Sequence, residues 1–317
     1  MMHFQSVDLA RNGLDISDFE ARIFGDWAVA AARTQSARAL LAEVHADFLV
    51  TRTLTNRAGS RARQRSGYRV MAWQGVLLTA LHARLGEIQQ ARQSAAVARE
   101  FGYQCGDRAA VASAYDREAI AEIWYGTPEL GSQAAVRGIE VIGSEAGTQY
   151  GRMILAGLHS QAMVHYSRMP EHAGLFAKYE RKVRDWQQCL PEIRRPNAFE
   201  LSPTQMYNSL AVAHAFRRDP NASELFTIGF RATAYEAEES TRFRKLLRLN
   251  QAWSEAPHDP RRALTIAADV MHSFTREKAP ADPIYLHRAT RTLYALPASV
   301  PAEWTAELRS LIGKPRL

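Results

Sequence analysis

The 317-residue sequence predicts an all-α protein, a right-handed solenoid of stacked helical hairpins. Three observations carry this. Good helix formers (Ala, Leu, Arg, Glu, Gln) dominate, while alternating Val, Ile and Thr runs bounded by turn residues are nearly absent. The stretch GVLLTALHARLGEIQQARQSAAVAREFG, residues 75–102, reads as two apolar-patterned helices meeting at a Leu-Gly-Glu turn. That arrangement then recurs. With Gly86 set over Gly126 of YDREAIAEIWYGTPELGSQAAVRGIEVI, Leu81 falls over Ala121, Ala91 over Gly131 and Ala98 over Gly138. Small residues at these offsets let antiparallel helices approach closely.

The same register places Ile88 over Pro128, and proline returns at each later turn as Pro170, Pro220, Pro260 and Pro301. From Ile88 the intervals are 40, 42, 50, 40 and 41 residues. Proline suits a helix start, because its φ is already set and its missing N–H has no partner in the first turn. In RRDPNA and PHDPRR the preceding Asp219 and Asp259 are natural N-caps. A period near 40 marks units that bury their apolar faces only by stacking on neighbours, which gives about six hairpins over this length.

Element by element, residues 1–56 read as a two-helix N-terminal cap. ISDFEARIFGDWAVAAAR opens with Ser17 three residues before Glu20, a capping box, and QSARALLAEVHADFLVTRTL forms the second helix. NRAGSRARQRSG follows as a polar joint. The repeats then run as one continuous domain over 57–317, with first helices such as MILAGLHSQAMVHYS, MYNSLAVAHAF and RKLLRLNQAW. ELFTIGFRATAYEA and RRALTIAADVMHSF are second helices. CLPEIRRPNAFELSP, with three prolines, marks an extended irregular connection near 188–204. PAEWTAELRSLIG, stopped by Gly313 and Pro315, reads as a terminal capping helix. At Gly131 the packing reading expects leucine to force the helices apart and alanine to be tolerated.

Several function classes lose support at once. No apolar run approaches the ~18–20 residues of a membrane span, and the N-terminus lacks the basic and apolar regions of a secretory signal. Cys105 and Cys189 stand in no metal or redox spacing, so two buried structural thiols in a cytoplasmic protein are expected. His159 and His165 are six apart, about 120° around a helix, and so are poorly placed to share one metal ion. Neither a metal nor a cofactor is expected. Glycine-rich phosphate loops and nucleophile elbows are absent as well. The acidic runs at Asp15, Asp18 and Glu20 and at 236–240 read as helix-start charge or solvated surface. The formal charge of +7 is concentrated in part at Arg57, Arg61, Arg63, Arg65 and Arg69. Those arginines could grip phosphates. Without interleaved aromatics, a joint whose arginines pair with neighbouring helices is the favoured reading, and nucleic acid is disfavoured.

The offsets around LGEIQQA and YGTPELG resemble tetratricopeptide repeats, lengthened from that family's usual unit. A narrower resemblance covers residues 36–275, where SARALLAEVHADFLVTRTL, GYRVMAWQGVLLTALHARLGEIQQARQSAAVAREFG and GDRAAVASAYDREAIAEIWYG are similar to the C-terminal sensor half of actinobacterial helix-turn-helix regulators. Only residues 1–35 precede it, too few for a DNA-binding domain, so the sensor-like half is expected to stand alone. The resemblance implies a non-enzymatic binding or regulatory module that takes a peptide, a protein partner or a small-molecule signal in its concave groove. A homodimer is compatible with it. The family's groove-facing positions on each first helix correspond here to His82, Tyr115, Glu118, Glu122, Tyr207, His214 and Asn250. The competing expectation is an enzyme of specialised metabolism on the same scaffold, with Tyr115, Glu118, Glu122 and His214 transferring protons.

Overall fold

Helix formers fill the chain and helices fill the structure. The computed structural model describes residues 15–27, 36–189, 203–219, 221–233, 241–277 and 281–313. Among them there are fourteen α-helices and no strand. The helices are α1 (Ile16–Arg22, continued by a π turn Ile23–Trp27), α2 (Ala37–Asn56), α3 (Arg61–Leu85), α4 (Ile88–Cys105), α5 (Arg108–Tyr125), α6 (Pro128–Ile142) and α7 (Gln149–Ser167). Then come α8 (Ala173–Cys189), α9 (Pro203–Phe216), α10 (Ala222–Thr233), α11 (Thr241–Glu255), α12 (Pro260–Arg276), α13 (Pro283–Ala295) and α14 (Ala302–Ile312). Two short 3₁₀ segments, Gly143–Gly147 and Pro170–His172, join α6 to α7 and precede α8.

Local chemistry sets the helix ends. Gly86 closes α3 in the left-handed conformation, φ 75°, which glycine adopts without a Cβ penalty. Pro128 and Pro260 start α6 and α12 behind the side-chain caps Thr127 and Asp259. Pro170 starts a 3₁₀ turn instead, and Pro301 is the N-cap of α14. The expected capping box at Ser17 and Glu20 lies two residues earlier, with Asp15 as N-cap and Asp18 reaching back to the Asp15 N–H. Both carboxylates sit where the helix N-terminus favours negative charge.

The polar joint expected over 57–69 is mostly helix. Ser60 caps α3, and the arginines beyond it propagate the helix, as their propensity allows. Their charges find partners: Arg63 pairs with Asp15, Arg69 with Glu20 and Asp107, and Arg65 donates to the Cys105 carbonyl. Cys105 is buried as expected. Cys189 is exposed, at the C-terminal residue of α8. The stretch 190–202 and the acidic run 236–240 lie outside the described residues, and so does Pro220.

Packing follows one rule. Each odd-numbered helix from α3 to α13 packs against the next odd-numbered one, and the even-numbered helices fill in beside them. α13 also returns to α3, near the start of the chain. The apolar interior is correspondingly shared along the chain. Trp73, Leu77 and Leu81 lie in one cluster, Met163, Met206 and Phe226 in a second, and Leu249, Val270 and Tyr285 in a third. The recurring small residues sit at the crossings. Leu81, Ala91, Ala98 and Ala121 are all buried, and a Cβ added to Gly75 would meet the Cβ of Ala98 at 2.9 Å.

The return of α13 is fixed by a buried ion pair. Asp282, the N-cap of α13, does not cap its own helix by a side-chain hydrogen bond. Its carboxylate instead accepts from Arg84 Nη2 at the end of α3, at 2.5 Å, and from the Ala37 N–H at the start of α2, at 3.2 Å. Both charged side chains are less than a tenth exposed.

Two outcomes follow. A Cβ at Gly131 would lie 2.0–2.6 Å from the His165 ring, which is buried and held to the Ala119 carbonyl, so the expected tolerance of alanine fails. Gly131→Ala should lower stability by roughly 1–3 kcal/mol through overpacking, despite its propensity gain of about 0.5–1 kcal/mol. Gly131→Leu should cost more. An unchanged urea midpoint for Gly131→Ala would refute this packing. Asp282→Ala, which leaves Arg84 buried without its carboxylate, should cost about 3–5 kcal/mol; the same urea titration measures it.

Candidate functional site

The residues expected to face a groove are mostly held in pairs between neighbouring helices. His82 Nδ1 lies 2.7 Å from Glu87 across the α3–α4 turn. Glu118 pairs with Arg99 of α4, whose guanidinium also lies over the Tyr115 ring. Glu122 is 1% exposed and takes both Arg92 Nε, at 2.6 Å, and Nη2, at 3.0 Å, as well as the Thr127 N–H. His214 sits between Asp219 and Glu180 at 2.7 and 3.1 Å. Tyr207 is half-buried, its Cβ close to Gly229 on α10. Asn250 reaches further: its amide donates to Asn208 on α9, and its carbonyl accepts from Arg288 on α13. The structure therefore brings Glu118 and Tyr115 together at Arg99 and leaves His82, Tyr207 and His214 apart. Through Arg288 it joins Asn250 to a second group of residues.

That second group is where the chain converges. α13 presents His287, Arg288 and Arg291 to the C-terminal ends of the odd-numbered helices. Tyr125, the last residue of α5, meets His287 with ring centroids 4.7 Å apart and planes tilted by 45°. Arg288 lies 3.9 Å over Trp124, also on α5. The Arg291 guanidinium is surrounded by three rings, Trp253 of α11 at 4.8 Å, Phe216 of α9 at 5.4 Å and Trp124 at 5.5 Å. Arg168, just past α7, lies 5.2 Å over the same Phe216 and donates to the Glu122 and Ile123 carbonyls at the end of α5. Phe216 and Trp253 meet edge to face at 4.8 Å. Four helix ends and the middle of α13 thus supply three aromatic faces and three guanidiniums to one place.

The electrostatics are unusual for arginine. Burial, and then the neighbouring Arg168, lower the Arg291 pKa to about 10. Arg168 is also shifted down, by burial, against the longer-range attraction of Glu129 and Glu122. Among the described residues no carboxylate pairs with either. Burial and the charges of Arg291 and Arg288 push His287 to about 4, so its imidazole is neutral, and the Tyr125 phenol is raised to about 12, chiefly by burial. Tyr125 OH and His287 Nε2 are both buried with no hydrogen-bond partner among the described residues. Buried polar groups are nearly always satisfied, so these two orphans, close to guanidiniums that no described carboxylate pairs, stand out. Sequence reading missed this group because its members precede each turn at different distances and come from five separate helices. The readable sign is an aromatic or arginine within a few residues of the turn in IWYGTP, HYSRMP, HAFRRDP and QAWSEAP.

His159 and His165 do not share a site. His159 Nδ1 accepts from Trp186 Nε1, and His165 Nε2 meets the Ala119 carbonyl. No group of residues among those described could hold a metal ion. No protein-family model, curated protein or solved structure matches the chain.

The buried histidines make stability depend on pH. Burial lowers His159, His165 and His287 to about 4, against 6.5 for a free imidazole. On acidification the unfolded chain takes up these protons near pH 6.5 and the folded chain only near pH 4. Stability is therefore whole above about 6.5 and falls as pH drops to about 4, each unit of difference in a buried group being worth about 1.4 kcal/mol. Asp116, whose carboxyl is raised by burial, acts in the opposite direction. Urea midpoints at pH 7, 5.5 and 4.5 should decline, and less steeply in His165→Gln, which keeps a donor for Ala119 but does not titrate.

Proposed function

We propose that this chain is a binding and regulatory module of tetratricopeptide-like design, a right-handed solenoid of period near 40 whose odd-numbered helices line the recognition surface. The successive packing of those helices supports the architecture, and the two unpaired cysteines suit a cytoplasmic setting. No helix among the described residues is long and apolar enough to cross a membrane. The observation that carries the functional reading is the convergence of Trp124, Arg168, Phe216, Trp253 and Arg291 from five helices on one spot.

Such a site recognises a ligand by ring faces around a few oriented polar groups, the usual composition of a small-molecule pocket. Of the three occupants considered, a small-molecule signal fits best, because α13 already lies across helix ends where a peptide would have to run. Glu118 and Glu122 are held by Arg99 and Arg92, which suits them to join helices more than to exchange protons with a substrate.

A thermal-shift screen of the purified chain tests the reading. A ligand present at ~100 times its dissociation constant stabilises the native state by about 2.7 kcal/mol. The expected result is a hit whose shift shrinks in Trp253→Phe. Turnover of a metabolite by the purified chain, or hits indifferent to substitutions at both Trp253 and Arg291, would overturn it.

A further inference from the structure

Arg291 is the side chain that the fold leaves most conspicuously unserved. A guanidinium carries five N–H donors and cannot discharge itself by losing a proton near neutral pH. Arg291 donates none of them among the described residues, and its three close neighbours are rings. A second guanidinium, Arg168, lies over the same Phe216 ring, and the two repel. Cation–π contacts contribute about 0.5–2 kcal/mol each. They orient the guanidiniums, but they accept no hydrogen bonds and leave the mutual repulsion of two half-buried cations in place. Arg168 gives one nitrogen, Nη1, to the Glu122 and Ile123 carbonyls, and Arg288 gives its Nη1 to Asn250 Oδ1 and the Leu246 carbonyl.

We propose that Arg168 and Arg291 are the paired cations of a binding site for a small oxoanion, a carboxylate or phosphate group. The inference rests on the binding-module reading and names its ligand class. An oxoanion is the chemistry that answers every feature at once. It accepts the fork of N–H donors bidentately and cancels the Arg168–Arg291 repulsion. Trp124, Phe216 and Trp253 exclude water, which strengthens each of these interactions, and they leave flat apolar surface for the body that bears the anionic group.

The test follows thermal unfolding of the full chain during separate titrations with inorganic phosphate and with succinate, each against sodium chloride at matched ionic strength. The expected result is a saturable rise in Tm with at least one oxoanion beyond the chloride response, accompanied by a change in tryptophan fluorescence from Trp124 and Trp253. A larger response to phosphate assigns a phosphate group and a larger response to succinate a carboxylate. Arg291→Gln should abolish the oxoanion-specific rise. If circular dichroism shows that this variant is unfolded, Arg291→Lys decides: it keeps the charge but loses the fork, and its half-saturating concentration should rise by about tenfold or more. Equal responses of the native chain to oxoanions and chloride would overturn the proposal, as would an undiminished oxoanion response in Arg291→Gln or Arg291→Lys. A screening hit that binds native and Arg291→Gln protein alike, yet depends on Trp253, would leave the binding module standing and remove the oxoanion site.

Discussion

The Asp282 carboxylate and the Arg84 guanidinium, 198 residues apart in sequence, hold the arrangement on which the rest depends. Packing between successive helices sets how each follows the last. It does not by itself bring the thirteenth helix back to the third. The buried pair does so with direction as well as attraction, because Asp282 also accepts the Ala37 N–H at the start of α2. Desolvation offsets much of the Coulomb gain of a buried pair. Its contribution is therefore less to net stability than to choosing one position for α13 among many apolar alternatives.

Once Asp282 is placed, the helical repeat of α13 places everything after it. His287 and Arg288 stand four and three residues before Arg291, the spacings that share a helix face, and together they present one broad face. They then meet Tyr125, Trp124 and the Phe216–Trp253 pair in that order. A slip of α13 by one residue would turn that face about 100° away from the rings. The closure and the aromatic–arginine cluster are thus one structural fact seen at two ends of a helix.

The fold was legible where local chemistry decides. Helix formers, the αL glycine at Gly86, the proline starts at Pro128 and Pro260, and the small residues Ala91, Ala98 and Gly131 are consequences of backbone geometry that travel with short segments. The capping box was displaced by two residues because Asp15 outcompetes Ser17 at a site where a full negative charge meets the helix N-terminus. The basic stretch looked like a loop because its partners, Asp15, Glu20 and Asp107, lie about forty to fifty residues away in sequence. Groove positions such as Glu122 could be assigned a helix face but not a partner, and Arg92 supplies one. The cluster around Arg291 was hidden for the same reason. It exists only after closure, and no periodicity within a hairpin encodes contacts between the second hairpin and the last.

What the completed structure adds is a contrast in how residues obey local rules. Along the hairpins the rules are kept: Ser60, Asp107, Thr127, Thr148 and Asp259 cap the helices they precede, and buried carboxylates such as Glu122 are matched by arginine. At the convergence they are broken together. Asp282 gives up its own cap, Arg168 and Arg291 go without carboxylates, and Tyr125 and His287 keep polar atoms buried and unpaired. Violations scattered at random would read as small, independent costs. Orphaned polar atoms also occur along the hairpins, at Asp116, His165 and Gln251 among others, so what sets the convergence apart is the coincidence of two guanidiniums without carboxylates and a displaced cap on the helices that meet there.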